Sequence, residues 1–439
     1  MNIHEKELIC SNLSVSAEGH LMFAGIDTVD LAKEYGTPLY VMDEDRIRYN
    51  CRIYKNALQE AFGEKGVALF ASKAASFKRI YNIVEEEGLC VDVVSGGEIY
   101  TALKAGFPLS KAYFHSNNKT DEDIRFAMDN GIGCFVVDTE EELFAIDRIA
   151  EEKGICQNIM LRITPGIDPH TFEEVATGKV DSKFGSAIET GQAEAIAVKA
   201  LDLKHVRLEG FHCHVGSMVF YEDVFERTAD VMLEFLADIR KNTGYMAEKL
   251  DLGGGYGTRY VKEDPLVDIG KKVRVLAEHI KDKVAELGLE QPVIMLEPGR
   301  SIVADAGITL YTAGSVKRIP GFVNYVSVDG GMTDNPRYAL YGSKYTVLPA
   351  DDMNSPCGMK CNLVGRCCES GDIVQNDIHL PETTKRGSIV AVLTTGAYNF
   401  SMASNYNRVG RPPIVMAAGR KTYTAVRRQT FDDLISLDV

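Results

Sequence analysis

The chain has 439 residues, and its 48 Lys and Arg set against 63 Asp and Glu give a net charge of −15 with no basic run to track a phosphate backbone, which excludes a nucleic-acid binder. With 45% hydrophobic and 25% charged residues the composition is that of a globular protein, long enough for two or three domains, and it excludes disordered and fibrous classes. The first twenty residues contain Glu5, Lys6, Glu7 and Glu18 without an apolar core, no stretch is apolar enough to span a bilayer, and the ten cysteines include no Cys-x-x-Cys pair, so a cytoplasmic protein with reduced thiols and no membrane partner is expected.

In chain order, a first short run at Glu18–Phe23 stands apart from the later pattern. Apolar, β-branched runs then begin near Val67, Cys90, Ala112, Cys134, Asn158, Leu208, Lys249 and Pro292. The first five recur every roughly 22 residues, separated by amphipathic stretches such as Phe77–Glu87 and Glu140–Glu152, which is the rhythm of βαβ units. No G-x-G-x-x-G opens an early helix, so eight such units point to a (β/α)8 barrel over residues 32–303 rather than a doubly wound sheet. After Ala304 the runs shorten and alternate with turn residues: Ile308–Lys317, Asn324–Asp329, Ile389–Thr394 and Ile414–Ala418. They predict an all-β domain at 304–439, joined by residues 1–31, with the run Glu18–Phe23 in the same sheet.

A barrel carries its chemistry at the C-terminal ends of its strands, and each run here ends in polar residues. Lys73, Ser95, Asn117, Asp138, Arg162 with Thr164, His214 with Ser217, Gly253–Gly255 and Glu297–Arg300 would converge on one rim. Lys73 lies in Phe70-Ala-Ser-Lys-Ala-Ala75, whose small apolar neighbours should desolvate its ammonium and suit it to Schiff-base chemistry; the plain alternative is a solvated lysine opening a helix. The run Asp251-Leu-Gly-Gly-Gly-Tyr-Gly257 offers unobstructed backbone N–H groups to a phosphate monoester. Together they point to pyridoxal 5'-phosphate. Glu297 supplies the carboxylate such a cofactor needs at its ring nitrogen, or else a salt bridge to Arg162 or Arg300. His212 and His214 alternate along one strand and so share a face, which suits either a metal pair or, for His214, stacking on a cofactor ring. The other histidines, His4, His20, His115, His170, His205, His279 and His379, mostly fall elsewhere, and the cluster Cys357, Cys361, Cys367, Cys368 has no common zinc spacing, so no metal is expected.

The order of pieces resembles the diaminopimelate decarboxylase family of fold-type III pyridoxal-phosphate enzymes, related structurally to alanine racemase. The matching segments are Ala71-Ser-Lys-Ala74, Asp92-Val-Val-Ser-Gly-Gly-Glu98, Thr177-Gly with Ser182-Lys-Phe-Gly185, His212-Cys-His-Val-Gly-Ser217, the glycine run, Glu297-Pro-Gly-Arg300, Asp329-Gly-Gly-Met-Thr-Asp-Asn-Pro-Arg337, Cys368-Glu-Ser-Gly-Asp372 and Gly396-Ala-Tyr398. The resemblance implies Lys73 as the internal aldimine, His214 on the ring, and Ser217, Gly254, Gly255 and Tyr398 near the phosphate. It implies that Glu297, Pro298, Gly299 and Arg300 also line the cofactor. For the substrate it implies Arg300, Arg337, Tyr341 and Tyr398 around the retained carboxylate, Glu369 at the distal ammonium, and Cys368 as proton donor, with Cys368 and Glu369 supplied by the partner of a homodimer.

The implied reaction converts meso-2,6-diaminopimelate to L-lysine and carbon dioxide through an external aldimine and a quinonoid, the last step of lysine biosynthesis. Ala75, Met218 and Tyr338 depart from the frequent Asn, Gln and Pro of the family at positions that bear no chemistry. The nearest alternatives are a sibling decarboxylase for carboxynorspermidine, D-lysine or D-ornithine, and a catalytically silent homologue that binds the cofactor or a protein.

Overall fold

The computed structural model describes residues 8–168, 181–220 and 223–439. The segment Thr177-Gly and the residues His4 and His170 lie outside them. Two compact units emerge, one from Asn50–Gly257 with Val267–Ser301, the other from the described residues up to Tyr49 with Thr258–Leu266 and Ile302–Val439.

The first unit is a closed barrel of eight parallel strands: β1 (Gly66–Ala71), β2 (Cys90–Val93), β3 (Ala112–Phe114), β4 (Cys134–Val137), β5 (Gln157–Thr164), β6 (Val206–His212), β7 (Lys249–Asp251) and β8 (Val293–Leu296). Each run read from the sequence becomes one of these strands. β8 closes onto β1 with Leu296 beside Ala68, and β4 pairs with β5. Leu69, Tyr113, Cys134, Val136, Met160 and Met295 pack together inside, so the barrel is a filled core and its functional groups are confined to the strand ends. Between strands, helices bury one stripe: Lys78–Glu86 turns Ile80, Tyr81, Ile83 and Val84 inward. Their starts are capped locally, as where Ser95 accepts the Glu98 N–H and fixes how the chain leaves β2.

The second unit is β-rich. Its large sheet runs in the order Ile373–Leu380, Met359–Val364, Asn324–Val328, Gly307–Lys317, Leu39–Asp43, Ile414–Ala418 and Lys421–Val426, and Ile389–Val392 also pairs with Gly307–Lys317. Two boundaries differ from the sequence expectation. Residues 32–49 belong with the β-rich unit, because Leu39–Asp43 is buried along its whole length between Gly307–Lys317 and Ile414–Ala418. The run at Glu18–Phe23 does not join that sheet: Leu21–Phe23 is the middle strand of a separate antiparallel meander with Leu13–Val15 and Ile26–Asp27. Leu21 and Phe23 still share a core with Ile308, Leu310, Leu348 and Val415, which explains why an isolated three-residue strand holds its place. Among the described residues no helix is long and apolar enough to cross a membrane.

Candidate active site

The strand ends of the barrel gather the expected residues. Lys73 sits in a tight turn, Ser72–Ala74, directly after β1. Its apolar neighbours Ala74 and Ala75 turn into the core, and Lys73 itself is exposed. The expected desolvation of the ammonium is therefore corrected: the small side chains after β1 are buried, while the long one keeps its exposure to solvent. Its charge is felt by Asp92 and His214.

Glu297 follows β8 and is 7% exposed. Its oxygens meet imidazoles: Oε2 is 3.1 Å from His212 Nε2 and Oε1 is 2.8 Å from His115 Nε2. The first contact is aligned as a hydrogen bond and the second is not, so Oε1 is a buried acceptor with no aligned donor. Burial alone would raise the Glu297 carboxyl, but the facing imidazoles hold it well below its ordinary value. Burial pushes His212 down to about 4, so its ring is neutral and donates from Nε2. Arg162, considered as a partner of Glu297, instead approaches Asp138 at 4.0 Å and stacks over the Phe184 ring at 4.3 Å.

His212 and His214 have different hydrogen-bond partners. β6 ends at His212, and His214 beyond it accepts the Gly254 N–H on Nδ1 at 3.3 Å, which leaves its proton on Nε2. Burial, reinforced by the charge of Lys73, holds His214 well below the ordinary histidine value. A neutral, flat ring is thus fixed beside the glycine run. A Cβ on Gly254 would lie 2.1 Å from the Glu297 carbonyl oxygen, and one on Gly255 2.0 Å from that of Gly216. Only glycine fits where the loops after β6, β7 and β8 meet. Gly299 is equally constrained, since its Cβ would fall 2.9 Å from that of Ala71, and Pro298 accepts the Ala71 N–H through its carbonyl at 3.1 Å. Arg300 donates to the Ser217 hydroxyl from Nε and Nη2, both at 3.3 Å.

These residues fit pyridoxal phosphate. A glycine cradle with a hydroxyl and a guanidinium suits a phosphate monoester, a buried carboxylate oxygen lacking an aligned donor suits a ring N–H, and an exposed amine suits a carbonyl carbon.

In the β-rich unit, Arg337 opens the turn Arg337–Tyr341 and is 7% exposed. Its guanidinium lies over the rings of Tyr341 at 5.3 Å and Tyr398 at 5.2 Å. Among the described residues no carboxylate stands within ion-pair distance of it, its Nε is buried without an acceptor, and Nη2 has only Ser343 Oγ at 3.5 Å. Tyr398 is held at φ +66°, a left-handed conformation that a tyrosine adopts only under constraint from its surroundings. Cys368 and Glu369 lie on an exposed turn. The Cys368 N–H donates to Asn407 Oδ1 at 3.0 Å, and Glu369 Oε1 accepts the Gly371 N–H at 3.1 Å. Asp372 ties that turn to the loop carrying Arg337: its carboxylate takes the Cys367 N–H at 2.7 Å and the Met332 N–H at 2.6 Å.

Sequence reading missed His115, Asp251 and Asp334. His115 is hidden among scattered histidines, although it directly follows the run that forms β3; the strand-end rule applied to Asn117 would have found it. Asp334 is buried under the Arg337 loop, accepting the Tyr311 hydroxyl, the Gly331 N–H at 3.0 Å and the Thr333 hydroxyl at 3.2 Å, and burial raises it to about 7.

Comparison with known proteins is consistent across sequence and structure. Residues 44–304 match the family model described as pyridoxal-dependent decarboxylase, pyridoxal binding domain. The chain is 43% identical over 421 residues to the diaminopimelate decarboxylase of Bacillus subtilis, covering 96% of this chain and 95% of that protein. It is 42% identical over 420 residues to that of Staphylococcus aureus, covering 96% and 98%. Among solved structures, diaminopimelate decarboxylase from M. jannaschii in complex with L-lysine superposes with a TM-score of 0.89 at 32% identity over 98% of each chain. That from Helicobacter pylori complexed with L-lysine gives 0.84 at 30% identity over 94% of this chain and 99% of the other.

Proposed function

Because this chain belongs to the diaminopimelate decarboxylases, within the pyridoxal-dependent decarboxylases, we propose a division of labour among its residues. The reaction is the decarboxylation of meso-2,6-diaminopimelate to L-lysine, and the cofactor is pyridoxal 5'-phosphate. When bound, that cofactor supplies an electron sink for the carbanion left by departing carbon dioxide.

Lys73 tethers the cofactor through its amine. His214 faces the ring, Glu297 holds the ring nitrogen, and the loops of Ser217, Gly254, Gly255 and Gly299–Arg300, with Tyr398, hold the phosphate. Arg337, flanked by Tyr341 and Tyr398, grips the carboxylate that is retained, with Arg300 contributing, and Glu369 takes the distal ammonium. Cys368 delivers a proton to the alpha carbon. Cys368 and Glu369 serve the partner copy in a homodimer, a reading supported by their place on an exposed turn.

The observation that carries the substrate assignment is the Arg337 guanidinium, buried and without an acid among the described residues. Decarboxylation converts an anion into a neutral molecule, so a cation gripping the scissile group would stabilise the ground state and slow the step. The arginine belongs at the other end, which a substrate with two amino-acid termini provides.

Two measurements test the reading. Borohydride reduction of the cofactor-loaded protein followed by peptide mass analysis should place a phosphopyridoxyl group on the peptide containing Lys73, and Lys73→Ala should lose both the label and the visible absorbance. Carbon dioxide release should be confined to meso-diaminopimelate when D-lysine, L-ornithine and carboxynorspermidine are tried in parallel. A label elsewhere, or turnover of D-lysine at a comparable rate, would overturn the assignment.

A further inference from the structure

The proposed roles leave three buried titratable groups around Glu297 without a function. His115 directly follows β3, His212 is the last residue of β6 and Asp251 the last of β7, so three separate strands deliver them to one carboxylate. All three are buried, and the two imidazoles stand edge to face with centroids 4.8 Å apart. Asp251 reaches the Glu297 carboxylate and accepts the Gly253 N–H at 2.8 Å, which also fixes the start of the glycine run.

The cluster separates its members by charge. Burial, together with the charge of Glu297, raises Asp251 well above the ordinary aspartate value, which favours its protonated form, the one that can donate. His212 is a neutral imidazole donating from Nε2. Donors to a carboxylate stabilise its charged form, so Glu297 is the member that keeps its charge. The other charged or titratable groups facing it do not change this order. Arg162 on β5 contributes positive potential, Asp92 on β2 is raised by burial, and Cys213 and His214 beyond β6 are neutral for the same reason.

We propose that His115, His212 and Asp251 are positioning residues for Glu297, holding its carboxylate so that one negative charge faces the ring nitrogen of the cofactor. The inference rests on the proposed contact between Glu297 and that ring. It assigns Oε1, buried without an aligned donor, to the ring nitrogen, and Oε2 to the permanent bond from His212.

The test is binding of pyridoxal phosphate to the apoprotein, followed by fluorescence and absorbance between pH 5.5 and 8.5, with kcat and KM measured alongside. His212→Phe removes the donor but keeps a ring, and should let Glu297 take up a proton within this range. A carboxyl that titrates one unit above the assay pH is charged in only about one molecule in ten, so in a variant displaced that far cofactor affinity at the acid end should weaken about tenfold relative to wild type while matching it at the alkaline end. The acid limb of kcat should move upward with little change in KM. His212→Gln and Asp251→Asn, which restore or keep an N–H toward Glu297, should recover most of the affinity.

The double variant His212→Phe/Glu297→Gln should bind no worse than Glu297→Gln, because the histidine acts only through the carboxylate. Additive losses, or a loss independent of pH, would overturn the proposal in favour of a role in the fold alone. Since the ligand atoms of His115, His212 and Glu297 all lie within 4.8 Å of one another, zinc that raises the apoprotein melting temperature and blocks the cofactor would overturn it in favour of a metal site. If Glu297→Gln itself binds the cofactor like wild type, the ring-nitrogen reading fails and this inference with it; failure of the inference alone leaves Glu297→Gln defective and His212→Phe normal.

Discussion

Replacing Arg337 tests the substrate assignment most directly. The guanidinium carbon lies over the rings of both Tyr341 and Tyr398, contacts that restrict its fork before any ligand arrives. A carboxylate bound through that fork accepts two charge-assisted hydrogen bonds, each worth about 1.5–3 kcal/mol, so Arg337→Met should cost about 3–6 kcal/mol. That is a fall in kcat/KM of between about 10²-fold and about 10⁴-fold. Because the retained carboxylate is bound alike in ground and transition states, the loss should appear in KM, with kcat little changed. Arg337→Lys keeps the charge but loses the planar fork, and should fall between the two. Inhibition by L-lysine, which carries the same carboxylate, should weaken by the same factor as KM rises. Steady-state carbon dioxide release with and without added L-lysine measures all three quantities. A drop confined to kcat, with lysine inhibition intact, would place Arg337 on the departing carboxylate and refute the reasoning.

Two further predictions concern buried charge. The Lys119 ammonium is fully buried, bonded to Glu142 Oε1 at 2.6 Å and to the Val136 carbonyl at 2.7 Å, and it anchors the segment after His115. Glu142→Gln strands that ammonium and should destabilise the fold by about 3–5 kcal/mol in chemical denaturation, whereas Lys119→Met/Glu142→Leu should recover most of the loss; equal losses in both would contradict the account. Asp334, raised to about 7 by burial against an unfolded value near 3.9, favours folding only while protonated. Its contribution is complete below about pH 4 and is lost as pH rises through 7, by roughly 4 kcal/mol at most. Asp334→Asn should therefore lack this slope and be the more stable protein at pH 8 relative to pH 5, and identical slopes in urea denaturation at the two pH values would refute it.

The barrel was legible because its strands are apolar runs that recur with helical stretches between them, as a parallel sheet covered on both faces requires, and because no G-x-G-x-x-G favoured a doubly wound sheet. The same property hid Leu39–Asp43, which is buried throughout and looks like one more barrel strand until its partners Gly307–Lys317 and Ile414–Ala418 are known. Lys73 was placed correctly in sequence but wrongly in environment, since local composition does not say which side chains turn inward once a strand has ended. The alternation of His212 and His214 is not a strand feature, since β6 stops at the first of them and His214 lies beyond it. His115 and Asp251 stand at strand ends, where the rim rule could have found them, but their closeness to Glu297, far away in sequence, arises only through barrel closure.

On the proposed roles, buried charge within each unit would bear on substrate choice. In the barrel, burial favours the protonated form of Asp251 while the facing imidazoles favour the charged form of Glu297 beside it. In the β-rich unit, Arg337 is a buried positive charge with no internal acid among the described residues. A guanidinium in that position is costly until a ligand carboxylate pairs with it, and a ligand that ends in a bare ammonium would leave it unpaired and add a like charge. Sites built to hydrogen-bond a polar group reject analogues lacking it by about 10⁴-fold to 10⁵-fold, far more than a difference in chain length can supply. On the proposed role of Arg337, discrimination against D-lysine and ornithine should therefore follow from its buried guanidinium and need no steric exclusion.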